Sequence, residues 1–460
     1  MNTNVSEILK NSRRIHFVGI GGSGMFPLVE ILHGDGFVIT GSDVNAGSII
    51  DAEKALGIEV KMGHDAKNVD GADALVVTAA LLEGNPEVAR AHVLGIPVID
   101  RADMLGYVTQ RYSRNYCICG THGKTTTTAM LTSIFMLAGL DTAAVIGGKL
   151  PLINGYGRRG SGDTLVCEAC EFKDTFLHLS PAYAVLLNVD ADHLDYFKTL
   201  SGVIDSFSRF CNKATRGVIA NGDDKNTMEA LKSVKGKIVL FGEDKGCDYI
   251  ISDIENYSRA FYSFTLSDKE KEIGKFSLKV PGLQNVHNAA AAAVAALSAG
   301  LTAKDIQTGL DSFFGAARRF EMLGKVKGAT IADDYAHHPT ELAVTLDAAL
   351  KMGYDRVIAV FQPFTYTRTK LLLDDFARVL KKADAVVMTE IMGSREVNTC
   401  KISTADLAAK IDGSVWFKTF EEVSDYCLAI AREGDLIITL GCGDIYKAAN
   451  MMLERGAKSE

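Results

Sequence analysis

The sequence predicts an α/β protein of three domains in series, and three observations predict it. Two short apolar runs each break at glycines and pass into a helix pattern, at Gly19–Gly24 and at Gly120–Lys124. After Arg318-Arg319-Phe320, further strand patterns alternate with helix patterns. Strands alternating with helices make a parallel sheet covered by helices. A chain of 460 residues is also too long for a single core. The expected domains are residues 1–113, 114–322 and 323–460.

The first domain opens with the strand pattern of residues 14–18 running into Gly19-Ile-Gly21-Gly22-Ser-Gly24. Met25, Leu28, Val29 and Leu32 then fall at helical spacing, and a second strand, Phe37 to Thr40, ends in Gly41-Ser42-Asp43. Taken alone this is a dinucleotide fingerprint, with Asp43 about where a ribose ligand belongs. A nicotinamide oxidoreductase therefore stays open here, although glycine loops hold any diphosphate. Further strands are expected at Ala74 to Thr78 and Pro97 to Ile99.

The second domain starts with a buried-strand pattern, Tyr116 to Cys119, that turns through Gly120-Thr121-His122-Gly123. A helix begins at Lys124, with Met130, Leu131, Ile134, Phe135 and Leu137 on its apolar side. A helix start carries unpaired N–H groups and the positive end of the dipole, which favour phosphate. Lys124 would reach the outer phosphates and the Thr125 hydroxyl a magnesium ion. Ile118 stands where a strict phosphate loop has its first glycine. Strands follow at Thr164 to Cys167, before Glu168, and at Ala184 to Val189, before Asp190-Ala-Asp-His193; another is Gly217 to Ala220. Residues 247–280 alternate as a meander would. An alanine-rich helix comes next. In the third domain strands are expected at Thr330 to Ala332, Arg356 to Phe361, Ala385 to Thr389 and Asp435 to Leu440.

Composition sets bounds on function. A net charge of -8 argues against non-specific binding to nucleic acid or an anionic membrane. Phosphorylated ligands must then be drawn by local groups. No apolar stretch is long enough to span a membrane, and Met1–Arg14 lacks a signal peptide's apolar core, so a cytoplasmic protein is expected. Nine scattered cysteines make no disulfide framework, and Cys167-Glu-Ala-Cys170 lacks the second ligand pair of a zinc site. Cys117 and Cys119 lead into the phosphate loop, while Cys167 and Cys170 bracket Glu168, so oxidation there would disturb that loop.

Two diphosphate-type loops in separate domains favour a reaction joining two phosphorylated substrates over hydride transfer. Parallel sheets place sites at the carboxyl ends of strands, where Lys124, Glu168 and His193 converge.

At these residues the chain resembles the Mur ligase family, over nearly its whole length. The matching stretches are Gly19-Ile-Gly-Gly-Ser-Gly-Met25, Gly120-Thr-His-Gly-Lys-Thr-Thr126, Ala191-Asp-His-Leu-Asp195, Arg318-Arg-Phe-Glu321, Asp333-Asp-Tyr-Ala-His-His-Pro-Thr-Glu341 and Tyr366-Thr-Arg-Thr369. The resemblance implies the three-domain Mur ligase architecture: a Rossmann-like domain for the uridine diphosphate substrate, a central phosphate-loop ATPase-type domain and a Rossmann-like third domain. It implies an ATP-dependent joining of L-alanine to the lactyl carboxylate of UDP-N-acetylmuramate through an acyl phosphate, the first amino-acid addition in peptidoglycan precursor synthesis. Partners are then these small molecules, with no nucleic acid or membrane, in a monomer or dimer. The implied ATP residues are Gly120, Thr121, His122, Gly123, Lys124, Thr125, Thr126, Asn285, Asn288 and Asp334. Mg2+, or Mn2+ in its place, falls to Thr125, Glu168 and His193. Gly19, Gly21, Gly22, Gly24, Ser42, Asp43 and Arg319 take the UDP substrate; Tyr335, His337 and Arg368 line the amino-acid cleft. Lys124, His193 and Arg368 are the expected catalytic side chains.

The chain departs from the family pattern in four places. Gln284 replaces a His, the run Cys167–Lys173 replaces a more acidic one, and Phe364-Thr365 replace a basic pair. No lysine stands near Ser206–Ser208, so no carbamylated lysine is expected.

Overall fold

The computed structural model describes residues 4–78, 84–269, 271–394 and 396–457. Met1 to Thr3 of the N-terminal segment and the side chain of Asp195 lie outside what is described. The chain divides into two compact units, residues 1–253 with 264–276 and 287–313, and residues 254–263 with 277–286 and 314–460.

The first sheet has five parallel strands, β1 (Arg14–Val18), β2 (Val38–Asp43), β3 (Glu59–Met62), β4 (Ala74–Val77) and β5 (Val98–Asp100), in the order β3-β2-β1-β4-β5. The chain winds away from β1 in both directions, so the glycine loop after β1 sits at the point where strand order reverses, the usual ligand crevice of an open α/β sheet. The helix Phe26–Gly34 that follows carries Pro27 in its first turn, where the missing N–H costs nothing.

The second sheet has ten strands: β6 (Arg114–Cys119), β7 (Ala143–Leu150), β8 (Gly155–Arg158), β9 (Thr164–Glu168), β10 (Tyr183–Leu186), β11 (Gly217–Asn221), β12 (Ile238–Gly242), β13 (Tyr249–Ser258), β14 (Phe261–Asp268) and β15 (Glu272–Ser277). Their order is β15-β14-β13-β12-β11-β10-β6-β9-β7-β8. β6 lies between β10 and β9, parallel to both, so the second glycine loop also opens at a reversal of strand order. β7 and β8 form an antiparallel hairpin that the sequence reading did not contain. Paired glycines, Gly147-Gly148, interrupt its alternation, and Pro151 follows. Buried side chains of the first two sheets, including Phe17, Leu28, Cys117, Phe176 and Phe207, belong to one cluster.

The third sheet comprises β16 (Glu321–Val326), β17 (Ala329–Asp334), β18 (Arg356–Phe361), β19 (Ala385–Thr389), β20 (Val415–Phe417) and β21 (Asp435–Leu440), ordered β16-β17-β21-β18-β19-β20. Only β16 is antiparallel to its neighbour. Continuous runs such as Val357–Phe361 and Leu436–Leu440 are buried throughout, as strands covered on both faces must be.

Candidate functional site

The phosphate loop is built by glycine where nothing else fits. Gly120 has φ +142 and Gly123 φ +85. A Cβ on Gly120 would come within 3.0 Å of Leu187 Cβ, and one on Gly123 within 2.4 Å of Asn288 Oδ1. Ile118 stays inside β6, so the turn from strand to helix is completed by Gly120 through Gly123. The loop is zipped to the segment after β10: His122 N–H donates to Asn188 Oδ1 at 2.8 Å, and Asn188 Nδ2 donates back to the His122 carbonyl at 3.0 Å. Asp190 N–H donates to Thr121 Oγ1 at 2.9 Å.

Helix Lys124–Leu137 starts without a capping side chain, because Gly123 has none to offer. Thr125 Oγ1 in its first turn donates to Glu168 Oε2 at 2.8 Å, and Gly147 N–H of the β7 hairpin donates to the same oxygen at 2.9 Å. Thr126 is half-buried on that turn. Lys124 Nζ donates to the carbonyls of Gly120 at 2.5 Å and Thr121 at 3.0 Å. It also meets Glu171, at 3.1 Å from Oε1 and 3.0 Å from Oε2. Burial works against this charge, but the carboxylates of Glu171 and Glu168 and the nearby Cys170 hold the lysine's pKa above its usual value.

His193 caps the short helix Leu194–Phe197 with φ +55, and its ring packs on Phe172, centroids 4.7 Å apart. Lys173 and Asp174 also have positive φ, 54° and 60°. Backbone strain of this kind gathers at functional sites. Hydroxyl and carboxylate oxygens suit a hard divalent cation such as magnesium. The close Thr125–Glu168 pair, with Glu168 at the end of β9, fits one.

The glycine loop after β1 is shaped by Asp43. Its Oδ2 accepts the Gly21 N–H at 3.0 Å and its Oδ1 the Asn45 N–H at 2.9 Å. Gly19 and Ile20 donate to the Ser42 carbonyl at 2.8 and 3.0 Å. Ser42, expected at the UDP substrate, has a fully buried side chain that donates to Glu87 Oε2 at 2.6 Å and so supports the loop from beneath. Glu87 is a buried carboxylate that burial alone would neutralise; the His16 ring 3.8 Å away and hydrogen bonds from Ser42 and Asn68 hold its pKa down at about 2. Gly22 and Gly24 lie in the turn leading to Phe26–Gly34.

Arg319, Asp334, Tyr335, His337 and Arg368 lie in the second unit. Arg319 lies over Tyr335 at 5.1 Å, while Arg318 lies over Tyr335 at 4.9 Å and Tyr446 at 4.8 Å and pairs with Asp333 at 2.9 Å. The His337 ring meets Tyr335 at 5.7 Å and Phe364 at 6.1 Å, and its Nδ1 is 3.2 Å from Glu341. Arg368 follows Thr365 (φ +61) on helix Tyr366–Leu371. Asp334, expected among the ATP residues, is hydrogen-bonded to the backbone around it. Its Oδ2 accepts Phe320 N–H and its Oδ1 accepts Ala336 N–H, each at 2.7 Å, which fixes the turn presenting Arg319. Burial lifts its pKa to about 6 against the pull of Arg319. Asn285 donates to the Pro281 carbonyl at 2.8 Å; it and Asn288 share the helix Gln284–Ser298. Sequence reasoning missed Glu171, Asn188 and Glu341. Glu171 had one signal, an acid three residues beyond Glu168 on the same strand exit.

The chain belongs to the Mur ligase family. The Mur ligase family catalytic domain matches residues 14–113, the Mur ligase middle domain 118–296, and the Mur ligase glutamate ligase domain 318–443. Among curated relatives, a UDP-N-acetylmuramate–L-alanine ligase of Acetivibrio thermocellus is 41% identical over 449 residues, 96% of either chain. One from Caldanaerobacter subterraneus is 40% identical over 98% of this chain and 99% of its own. The crystal structure of UDP-N-acetylmuramate-alanine ligase from Thermotoga maritima superposes with a TM-score of 0.84 at 27% identity, covering 97% of this chain and all of that one, 100%. Among the described residues no helix is long and apolar enough to cross a membrane.

Proposed function

We propose that the protein is an ATP-dependent ligase that joins L-alanine to the lactyl carboxylate of UDP-N-acetylmuramate. The observation that carries this reading is near-complete coverage of this chain and of relatives bearing that name, at 41% and 40% identity. The pairing of Lys124, Thr125 and Glu168 at the phosphate loop supports it.

Phosphoryl transfer requires positioning and neutralisation of charge more than covalent help from the protein. The lactyl carboxylate attacks the γ-phosphorus, ADP leaves, and an acyl phosphate forms. The amine of alanine then attacks the acyl carbon, inorganic phosphate departs with its bonding pair, and the nitrogen gives up its proton. Gly120–Gly123 and the uncapped helix start hold the nucleotide phosphates, with Thr126 in the first turn and His122 braced by Asn188. Lys124 takes up charge as it develops. Thr125 and Glu168, with His193 set by Phe172, would hold Mg2+, which supplies further neutralisation when bound. Asn285 and Asn288 serve the adenine side. Gly19, Gly21, Gly22 and Gly24, braced by Asp43, take the uridine diphosphate, and Arg319 the sugar-lactyl end. Tyr335, His337 and Arg368 line the alanine cleft. Three domains follow from this reading, 1–113, 114–322 and 323–460.

The test is phosphate release from ATP with UDP-N-acetylmuramate present and each amino acid supplied in turn. L-alanine alone should support rapid release. Release with a preformed peptide or glutamate instead would move the chain to another activity within the family. NAD should leave the melting temperature unchanged, while UDP-N-acetylmuramate should raise it by mass action.

A further inference from the structure

Lys124 is charged and fully engaged before any nucleotide is in place. An ammonium has three N–H donors. Here they meet the carbonyls of Gly120 and Thr121 and the carboxylate of Glu171, so the side chain is folded back on its own loop. Glu171 is itself 2% exposed, and Lys124 is its charged partner. Its position is held by the chain that follows it. The Glu171 carbonyl accepts the N–H of Asp174 at 2.9 Å, Phe172 packs against His193, and Lys173 and Asp174 are left-handed.

We propose that Glu171 is a positioning residue that competes with the nucleotide's phosphates for Lys124, and thereby weakens and tunes nucleotide affinity. The inference rests on reading Gly120–Thr126 as the ATP phosphate loop. An arriving phosphate must draw Lys124 off Glu171, because the ammonium has no donor left over. The separation costs free energy twice: one ion pair is broken, and a buried carboxylate is left beside incoming negative charge. Once Lys124 has turned to the phosphates, Glu171 no longer holds it, so the competing pair works against the bound state alone. When the phosphates leave as ADP and inorganic phosphate, the same carboxylate takes the lysine back and favours release. Glu171 thus differs in kind from Glu168. Glu168 is bridged to a hydroxyl and a backbone N–H, and acts on Lys124 through its charge, whereas Glu171 makes the close ion pair.

The sign of the effect makes this testable. If Glu171 bound nucleotide or metal, or merely stabilised the loop, its removal would weaken nucleotide binding or leave it alone. Competition predicts the opposite. ADP binding in the presence of magnesium is measured by calorimetry on the full chain, for wild type, Glu171→Gln and Glu171→Asp. Glu171→Gln should lower the ADP Kd by about fivefold or more. Glu171→Asp keeps the charge but withdraws it by one methylene, and should fall between Gln and wild type. Either variant alone suffices should the other fold poorly. A companion reading is thermal: Glu171→Gln should show a lower melting temperature without ligand and a larger rise with saturating ADP. Lys124→Ala separates the two levels of the argument. If that variant binds ADP as wild type does, the phosphate-loop reading is wrong. If it loses ADP while both Glu171 variants bind no tighter than wild type, the competition by Glu171 is wrong and the loop stands.

Discussion

Glu30 Oε2 accepts the backbone N–H of Gly157 at 2.6 Å, and that of Tyr156 at 3.0 Å, across 127 and 126 residues of chain. The acid stands on the helix following the first glycine loop, and the two N–H groups belong to β8. Gly147 lies within the partner strand β7, and its N–H holds Glu168. One hairpin is therefore held by a carboxylate on each of its two strands. Burial lifts the Glu30 pKa to about 7, against the hydrogen bonds from Gly157 and Tyr156.

Glu30→Ala should therefore destabilise the protein. Two partly buried N–H groups lose their acceptor, each at a cost of about 1–3 kcal/mol. Urea unfolding should show a lower midpoint at unchanged slope, with the KM for UDP-N-acetylmuramate raised more than that for ATP.

Stability should fall as pH rises through neutrality, and Glu53 is the main reason. It is fully buried on the helix Ser48–Ala55, neither carboxylate oxygen has a hydrogen-bond partner, and burial with the nearby charges of Asp43 and Glu30 raises its pKa to about 8. The folded form holds this proton more tightly than the unfolded chain does. Its contribution is complete below the ordinary glutamate pKa and is lost as pH climbs through about 8. Melting temperatures from pH 5 to 8.5 should decline in the wild type and decline less in Glu53→Gln. Equal slopes in both proteins would remove Glu53 from the account.

Lys124→Ala should abolish turnover in a folded protein. Removing a charge clamp of this kind costs several kcal/mol in the transition state, of the order of 3–4. A variant that retains a tenth of wild-type phosphate release would rule out the role given to this lysine.

Arg368→Lys keeps the charge and loses the planar fork that grips a carboxylate in two places. With Phe364 and Thr365 in place of a basic pair, Arg368 is the main cation that the proposed function gives this loop for the alanine carboxylate. The KM for alanine should rise about tenfold or more while that for ATP changes little, a split that reads as lost acceptor binding. Glycine should be accepted poorly by the wild type, since one methyl in an apolar pocket is worth about 1–3 kcal/mol.

The thiols around the phosphate loop should resist labelling. Cys117, Cys119 and Cys167 are buried. Burial raises the Cys119 thiol well above its ordinary value, and burial pushes Cys170 to about 11. Thiolates are the reactive form, so these groups are inert at neutral pH. A mild thiol reagent should modify half-buried Cys400 first and leave activity intact. Rapid inactivation that ATP prevents would restore the oxidant sensitivity expected from their position in the sequence.

What the sequence by itself determined is local or periodic. Alternating strand and helix patterns gave the three mainly parallel sheets, and the bounds of β18, β19 and β21 coincide with the apolar runs that predicted them. Glycine spacing located both loops, because a left-handed turn or a close approach such as Gly123 to Asn288 leaves no alternative residue. Lys124 and Thr125 follow from that spacing alone. The tertiary structure decided which polar groups pair with one another. Ser42 sits in a binding-loop motif yet turns inward to Glu87, 45 residues away. Asp334 braces the Arg319 turn through a hydrogen bond to Phe320, and Glu171 meets Lys124 across 47 residues. Periodicity records only how often a side chain is buried. The partner of a buried carboxylate is set by which strands become neighbours, and for β9 beside β6 that choice exists only once the sheet has formed.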